Sequence, residues 1–89
     1  MEINFTTQIW KEGKMYVSYC PELDISSCGK SVEEAKKNLL EAVEAFLETA
    51  KKIGTLKEIL KESGFVREGQ RKWKAPEWIS LGREKISIP

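Results

Sequence analysis

The chain has 89 residues, enough for one domain that buries roughly 60 to 65% of its unfolded surface. A composition of 40% hydrophobic and 33% charged residues, with no Gly/Ser-rich or polar run, excludes a flexible linker or disordered tract. Net charge is +1, and only residues 63–89 carry a surplus, six basic against three acidic, well short of the footprint of a nucleic-acid-binding domain.

The opening MEINFTTQIW alternates polar and apolar residues, so it lacks the continuous apolar core of a signal peptide, and no later run approaches the length of a membrane span. Two cysteines do not make the dense disulfide framework of a small secreted domain. The expectation is a cytoplasmic protein. Ile3, Phe5, Thr7 and Ile9 recur at period two, the mark of a half-buried strand, with Trp10 on the opposite face. The turn-like KEGK around Gly13 then leads into Met15–Cys20, which also alternates, so residues 2–20 are expected to form a β-hairpin. Pro21 ends the second strand, since proline cannot donate to a ladder. Residues 23–28 form a short third strand closed by Gly29.

Ser31-Val32-Glu33-Glu34 is a capping box, in which the serine hydroxyl accepts from the third helical amide and Glu34 reaches back. Glu33 and Glu34 also suit the positive end of the helix dipole. Val32, Ala35, Leu39, Ala42, Val43, Phe46, Leu47, Ala50 and Ile53 step by three and four, forming one apolar stripe along a helix that ends near Gly54. At about 1.5 Å per residue that helix is about 34 Å long, matching a ten-residue strand at about 3.3 Å per residue. Thr55-Leu56-Lys57-Glu58 is a second capping box, opening a short helix with Leu56, Ile59 and Leu60 inward and Gly64 as its stop. Residues 65–67 and 72–75 form a small hairpin, Pro76 interrupts it, and residues 78–81 and 85–88 are expected to be two further strand pieces. The predicted fold class is α+β: an antiparallel β-β-β sheet, one long helix packed on it, a short second helix and C-terminal strands, in a single domain with a core at 2–50 and an extension at 51–89.

The chain contains no histidine, which removes Ser-His and Cys-His activation and most zinc sites. Cys20 and Cys28 match neither C-x-x-C redox spacing nor paired zinc knuckles. They suit packing thiols, and a disulfide across the strands stays open. Glu22, Asp24, Glu33 and Glu34 are the acids that a two-metal nuclease would need to converge on a phosphate. Each also has a structural use: Glu33 and Glu34 at the helix start, Glu22 and Asp24 in a proline-initiated turn. In the last third, Arg67, Arg71, Lys72 and Lys74 interleave with Phe65, Trp73 and Trp78. That mixture suits single-strand binding by stacking and charge, and equally a hairpin with its aromatics inward. Trp10, off the core face, suits a protein interface.

The run from Glu12 through Tyr19-Cys20-Pro21-Glu22-Leu23-Asp24, Gly29 and Ser31-Val32-Glu33-Glu34-Ala35, continuing to Phe46-Leu47-Glu48, resembles the HicB family. In that family a tyrosine-containing strand, a P-[DE]-L turn, a short strand, a glycine and a [ST]-x-E-E-A helix start follow in this order. The resemblance covers residues 2–50. It implies an antitoxin of a prokaryotic type II toxin–antitoxin system, with a partial RNase H-like β-β-β-α-β core assembled as a homodimer or higher oligomer. It also implies a partner, a HicA-like small basic toxin that cleaves mRNA with its own histidine and whose site the antitoxin occludes.

Two departures shape the expectation. Many relatives append a helix-turn-helix or ribbon-helix-helix module, whereas residues 65–89 are strand-like and broken by Pro76, so operator binding is not expected. An RNase H-type nuclease needs acids on a central strand, a helix and a later strand, whereas strand one offers only Glu2 and the inner helix face is apolar. No catalytic residue, metal or cofactor is therefore assigned, and Glu22, Asp24, Glu33, Glu34 and Trp10 are the expected partner-binding residues, the acids by complementarity to a basic toxin. The alternatives are an RNase H-like metal-dependent nuclease using Asp24 with nearby glutamates, and a standalone RNA-binding dimer acting through the basic hairpin.

Overall fold

The capping box at Ser31 starts the main element. In the computed structural model, which describes residues 1–89, Glu34 N–H donates to Ser31 Oγ at 3.0 Å and the helix α1 runs over Val32–Ile53. Gly54 ends it at φ 81°, with the Gly54 amide donating to Lys51 O and the Thr55 amide to Ala50 O, the paired bonds of a Schellman stop. The reciprocal half of the box is displaced by one residue: Glu34 Oε1 accepts from Lys30 N–H at 3.3 Å. The apolar stripe is narrower than the letters. Ala35, Leu39, Val43 and Ala50 are buried, while Val32, Phe46 and Ile53 face solvent.

Against α1 lies an antiparallel sheet in the order β2-β3-β4, with β2 at Gln8–Glu12, β3 at Met15–Cys20 and β4 at Ile25–Gly29. A two-residue loop joins β2 to β3, with Gly13 at φ 59°, the backbone that tight hairpins require. The expected continuous strand from residue 2 divides in two. Glu2–Ile3 is a separate strand, β1, and residues 4–7 cross between sheets without ladder pairing. The reason lies at the far end of the chain. The hairpin of β5 (Val66–Glu68) and β6 (Lys72–Lys74) takes β1 as a parallel third strand, with Ile3 opposite Trp73, giving a second sheet in the order β1-β6-β5.

The short helix α2, Leu56–Glu62, turns the chain from α1 into this second sheet. The expected capping box at Thr55 does not form. Thr55 sits at φ −105° and ψ 0°, and its hydroxyl faces back to Ala50 O at 3.5 Å, so the preceding Schellman stop has taken its side chain. At the other end Gly64 closes α2 as expected, at φ 85°, with its amide on Lys61 O and the Phe65 amide on Leu60 O.

Two buried clusters form the core. Cys20, Leu39 and Val43 fill the space between sheet β2-β3-β4 and α1, and Ala50, Leu56, Leu60, Phe65 and Trp73 fill the space under α2 and the second sheet. Phe5, Leu23 and Leu47 touch both, so the two clusters are continuous, and residues from 51 onward supply four of the five buried side chains of the second. At about 1.5 to 3 kcal/mol per fully buried aliphatic or aromatic side chain, this is a modest core. Residues 78–81 and 85–88 are not strands. Beyond Lys74 the chain makes no backbone hydrogen bond and runs as an extended arm. That arm raises the radius of gyration to 15.3 Å, against about 12 Å for a compact chain of this length. No helix is long and apolar enough to cross a membrane.

Candidate partner surface

The ladder register assigns the two faces of sheet β2-β3-β4. Cys20 pairs with Ile25, Ser18 with Ser27 and with Ile9, and Tyr16 with Gly29; these residues face α1. Trp10, Met15, Val17, Tyr19, Ser26 and Cys28 alternate with them and face outward, where no element covers them.

The outer face is built around two aromatic rings. Trp10 is 41% exposed and meets Tyr19 edge to face, with centroids 6.4 Å apart and planes at 70°. This diagonal pair follows from the register, in which Gln8 opposes Tyr19 and Trp10 opposes Val17. Both polar ring ends are tied to carboxylates. Trp10 Nε1 donates to Glu12 Oε1 at 3.0 Å, and Tyr19 Oη donates to Asp24 Oδ1 at 2.7 Å. The hydrogen bond to Asp24 holds the Tyr19 hydroxyl above its ordinary pKa, with partial desolvation and the charges of Asp24 and Cys20 adding to it. Tyr19 therefore stays a neutral donor at physiological pH. Each carboxylate keeps its second oxygen outside these bonds. Asp24 is placed by its backbone, at φ 54° in the left-handed region that Asp tolerates at turns.

The remaining expected residues lie elsewhere. Glu22, in the turn between β3 and β4, accepts from Thr6 N–H at 2.9 Å, from Thr6 Oγ1 at 2.5 Å and from Trp78 Nε1 at 3.4 Å. Trp78 Nε1 also donates to Thr6 Oγ1 at 2.9 Å. Partial burial pushes the Glu22 carboxyl up, but the hydrogen bonds from Thr6 and Trp78 outweigh it and leave the pKa below the ordinary glutamate value. Glu22 is thus a clamp joining the crossover, the turn and the base of the arm. Glu34 is spent on the helix start, and Glu33 is exposed in the first turn of α1. Of the five expected residues, Trp10 and Asp24 are brought together, through Tyr19. Glu12 and Tyr19 were not anticipated; the two-residue hairpin loop fixes the register that places them beside Trp10.

No group of three or more Asp, Glu or Cys side chains is arranged to hold a metal ion. Cys20 and Cys28 occupy opposite faces of the sheet and do not pair. Cys20 is buried, which pushes its thiol up to about 11, while Cys28 is exposed rather than packed. The chain matches no protein-family model, no curated protein and no solved structure.

Proposed function

We propose that this chain is the antitoxin of a type II toxin–antitoxin pair, a cytoplasmic HicB-like protein that assembles with a second copy of itself and occludes a HicA-like mRNA-cleaving toxin. The observation that carries this reading is the uncovered outer face of β2-β3-β4. Trp10 and Tyr19 form an aromatic centre of the kind that dominates protein interfaces. Their bonds to Glu12 and Asp24 fix both rings before a partner arrives, which lowers the ordering cost of binding. The two carboxylates at the rim favour a basic partner, and the HicB-like order of turn, glycine and capped helix names the kind of basic partner.

A nuclease reading is less well supported, because the acids it would recruit are directed apart: Glu22 toward Thr6 and Trp78, Asp24 toward Tyr19, Glu34 toward Lys30. The test is co-expression with a HicA-type toxin from the source genome. The chain is expected to relieve growth arrest and to inhibit mRNA cleavage by the purified toxin at equimolar ratio. Undiminished cleavage with the chain in excess of every such toxin would refute the reading.

A further inference from the structure

Two apolar features of the molecule lack partners, and they lie at opposite ends of one path. The first is the arm, residues 79–89, about 36 Å long if fully extended. Ile79, Leu81, Ile86 and Ile88 are 86, 80, 84 and 88% exposed, above every other large aliphatic in the chain, and the arm's backbone is unpaired throughout. The second is a groove of about 520 Å³ between α1 and the start of the chain, floored by Ile3, Phe5, Leu40 and Leu47 and rimmed by Glu44 and Glu48.

The arm does not lead to its own groove. From its tie at Trp78 it passes Thr6, Thr7 and Gln8 with residues 78–81, then Gln8, Ile9 and Trp10 with residues 81–83, separated from β2 by open clefts. It therefore runs parallel to β2, away from the Met1–Phe5 end where the groove lies. Its last isoleucines, Ile86 and Ile88, are nearly fully exposed. Ile86 and Ile88 stand two residues apart, a spacing that puts both on one side wherever the segment is extended. Arg83, Glu84 and Lys85 precede them, a net basic segment, while the charged lining of the groove, Glu2, Glu44, Glu48 and Lys51, is net acidic.

We infer that the groove is filled by the arm of a second copy, with Ile86 and Ile88 against Leu40 and Leu47, Arg83 and Lys85 toward Glu44 and Glu48, and the exchange made reciprocally about a two-fold axis. A reciprocal exchange closes, so it yields a dimer rather than a fibre. It rests on and deepens the self-association part of the proposed function; the groove lies apart from the outer sheet face, and only residues 81–83 of the arm come near Trp10.

The experiment is sedimentation equilibrium on the full chain, the Ile86→Glu/Ile88→Glu variant and the Leu40→Glu variant. It is paired with isotope-filtered methyl NOEs in a mixture of labelled and unlabelled wild-type chains. Every altered residue is exposed, and circular dichroism checks that each variant folds. The expected result is a wild-type dimer with intermolecular NOEs between Ile86 or Ile88 and Leu40 or Leu47, and dimerisation weakened at least about 100-fold in both variants, as for a central apolar anchor. A dimer that lacks these NOEs and tolerates both variants overturns the arm exchange but leaves self-association standing. A monomeric wild type overturns both, and NOEs confined within one chain overturn the exchange alone.

Discussion

The two faces of sheet β2-β3-β4 differ in how closely anything approaches them. The inner face mixes small Ser18, Cys20, Ser27 and Gly29 with larger Ile9, Tyr16 and Ile25 and packs on α1; the outer face mixes Trp10, Met15, Val17 and Tyr19 with Glu12, Ser26 and Cys28, and no helix covers it. Close approach explains the inner face. A Cβ on Gly29 would stand 2.5 Å from the Ala35 backbone nitrogen, and fully buried Ser18 donates to Ala35 O at 2.7 Å, so α1 rests nearly on the sheet backbone. Asn38 adds a bond from its side-chain amide to Cys28 O at 2.9 Å. Small residues are what that distance requires. The large residues on the other side lie on the face away from α1.

Substitutions sort by face. Gly29→Ala places a methyl group against backbone that cannot yield, and urea denaturation is expected to show a loss of about 3 kcal/mol, the upper range for overpacking. A loss below about 0.5 kcal/mol would mean that α1 is not held at this distance. Ser18→Ala removes a buried hydrogen bond but fits the space, and about 1 kcal/mol is expected by the same measurement. Trp10→Ala on the outer face is expected to lower stability by less than about 1 kcal/mol, the range for loss of one exposed cross-strand pair. A loss of about 2 kcal/mol would place Trp10 in the fold rather than at an interface. The thiols give the comparison without a stability change. At pH 8 a disulfide reagent should label one thiol per native chain, exposed Cys28, and the second, Cys20, only on unfolding. Two fast equivalents would show the inner face to be open.

Glu22 adds a pH dependence of small size. Its folded pKa lies below its unfolded value, so its contribution is fully present above the ordinary glutamate range, about 4.3, and is lost as pH falls through the folded value. Glu22→Gln should flatten the acid limb of thermal stability below about pH 5 relative to the parent. An unaltered limb would remove Glu22 from the clamp with Thr6 and Trp78.

The local signals in the sequence carried far. Ser31, the stepped stripe and Gly54 delimited α1, KEGK located the hairpin, and Gly64 ended α2, because each depends on neighbours within a few residues. What escaped were the long-range choices. Period-two alternation in residues 2–9 is the same whether one strand runs through or the chain crosses from one sheet to another, and only the distant β5-β6 hairpin decides it. The alternation of β3 likewise marks two faces without saying which is buried; the tight contact of Gly29 and Ser18 with Ala35 decides that. The acids of the turn were visible as a cluster, yet their directions depend on Thr6 and Trp78, remote in the chain, and on Tyr19 across the turn.

The proposed function has the outer face of β2-β3-β4 meet a basic toxin. Its most direct test is the affinity of a HicA-type toxin for the parent chain, for Trp10→Ala, for Tyr19→Ala and for Phe46→Ala, the last an exposed control on α1. The expected result is a loss of at least about 30-fold for each outer-face variant, on the scale of interface hot spots, with the control unchanged. Equal affinity across all four proteins would contradict it.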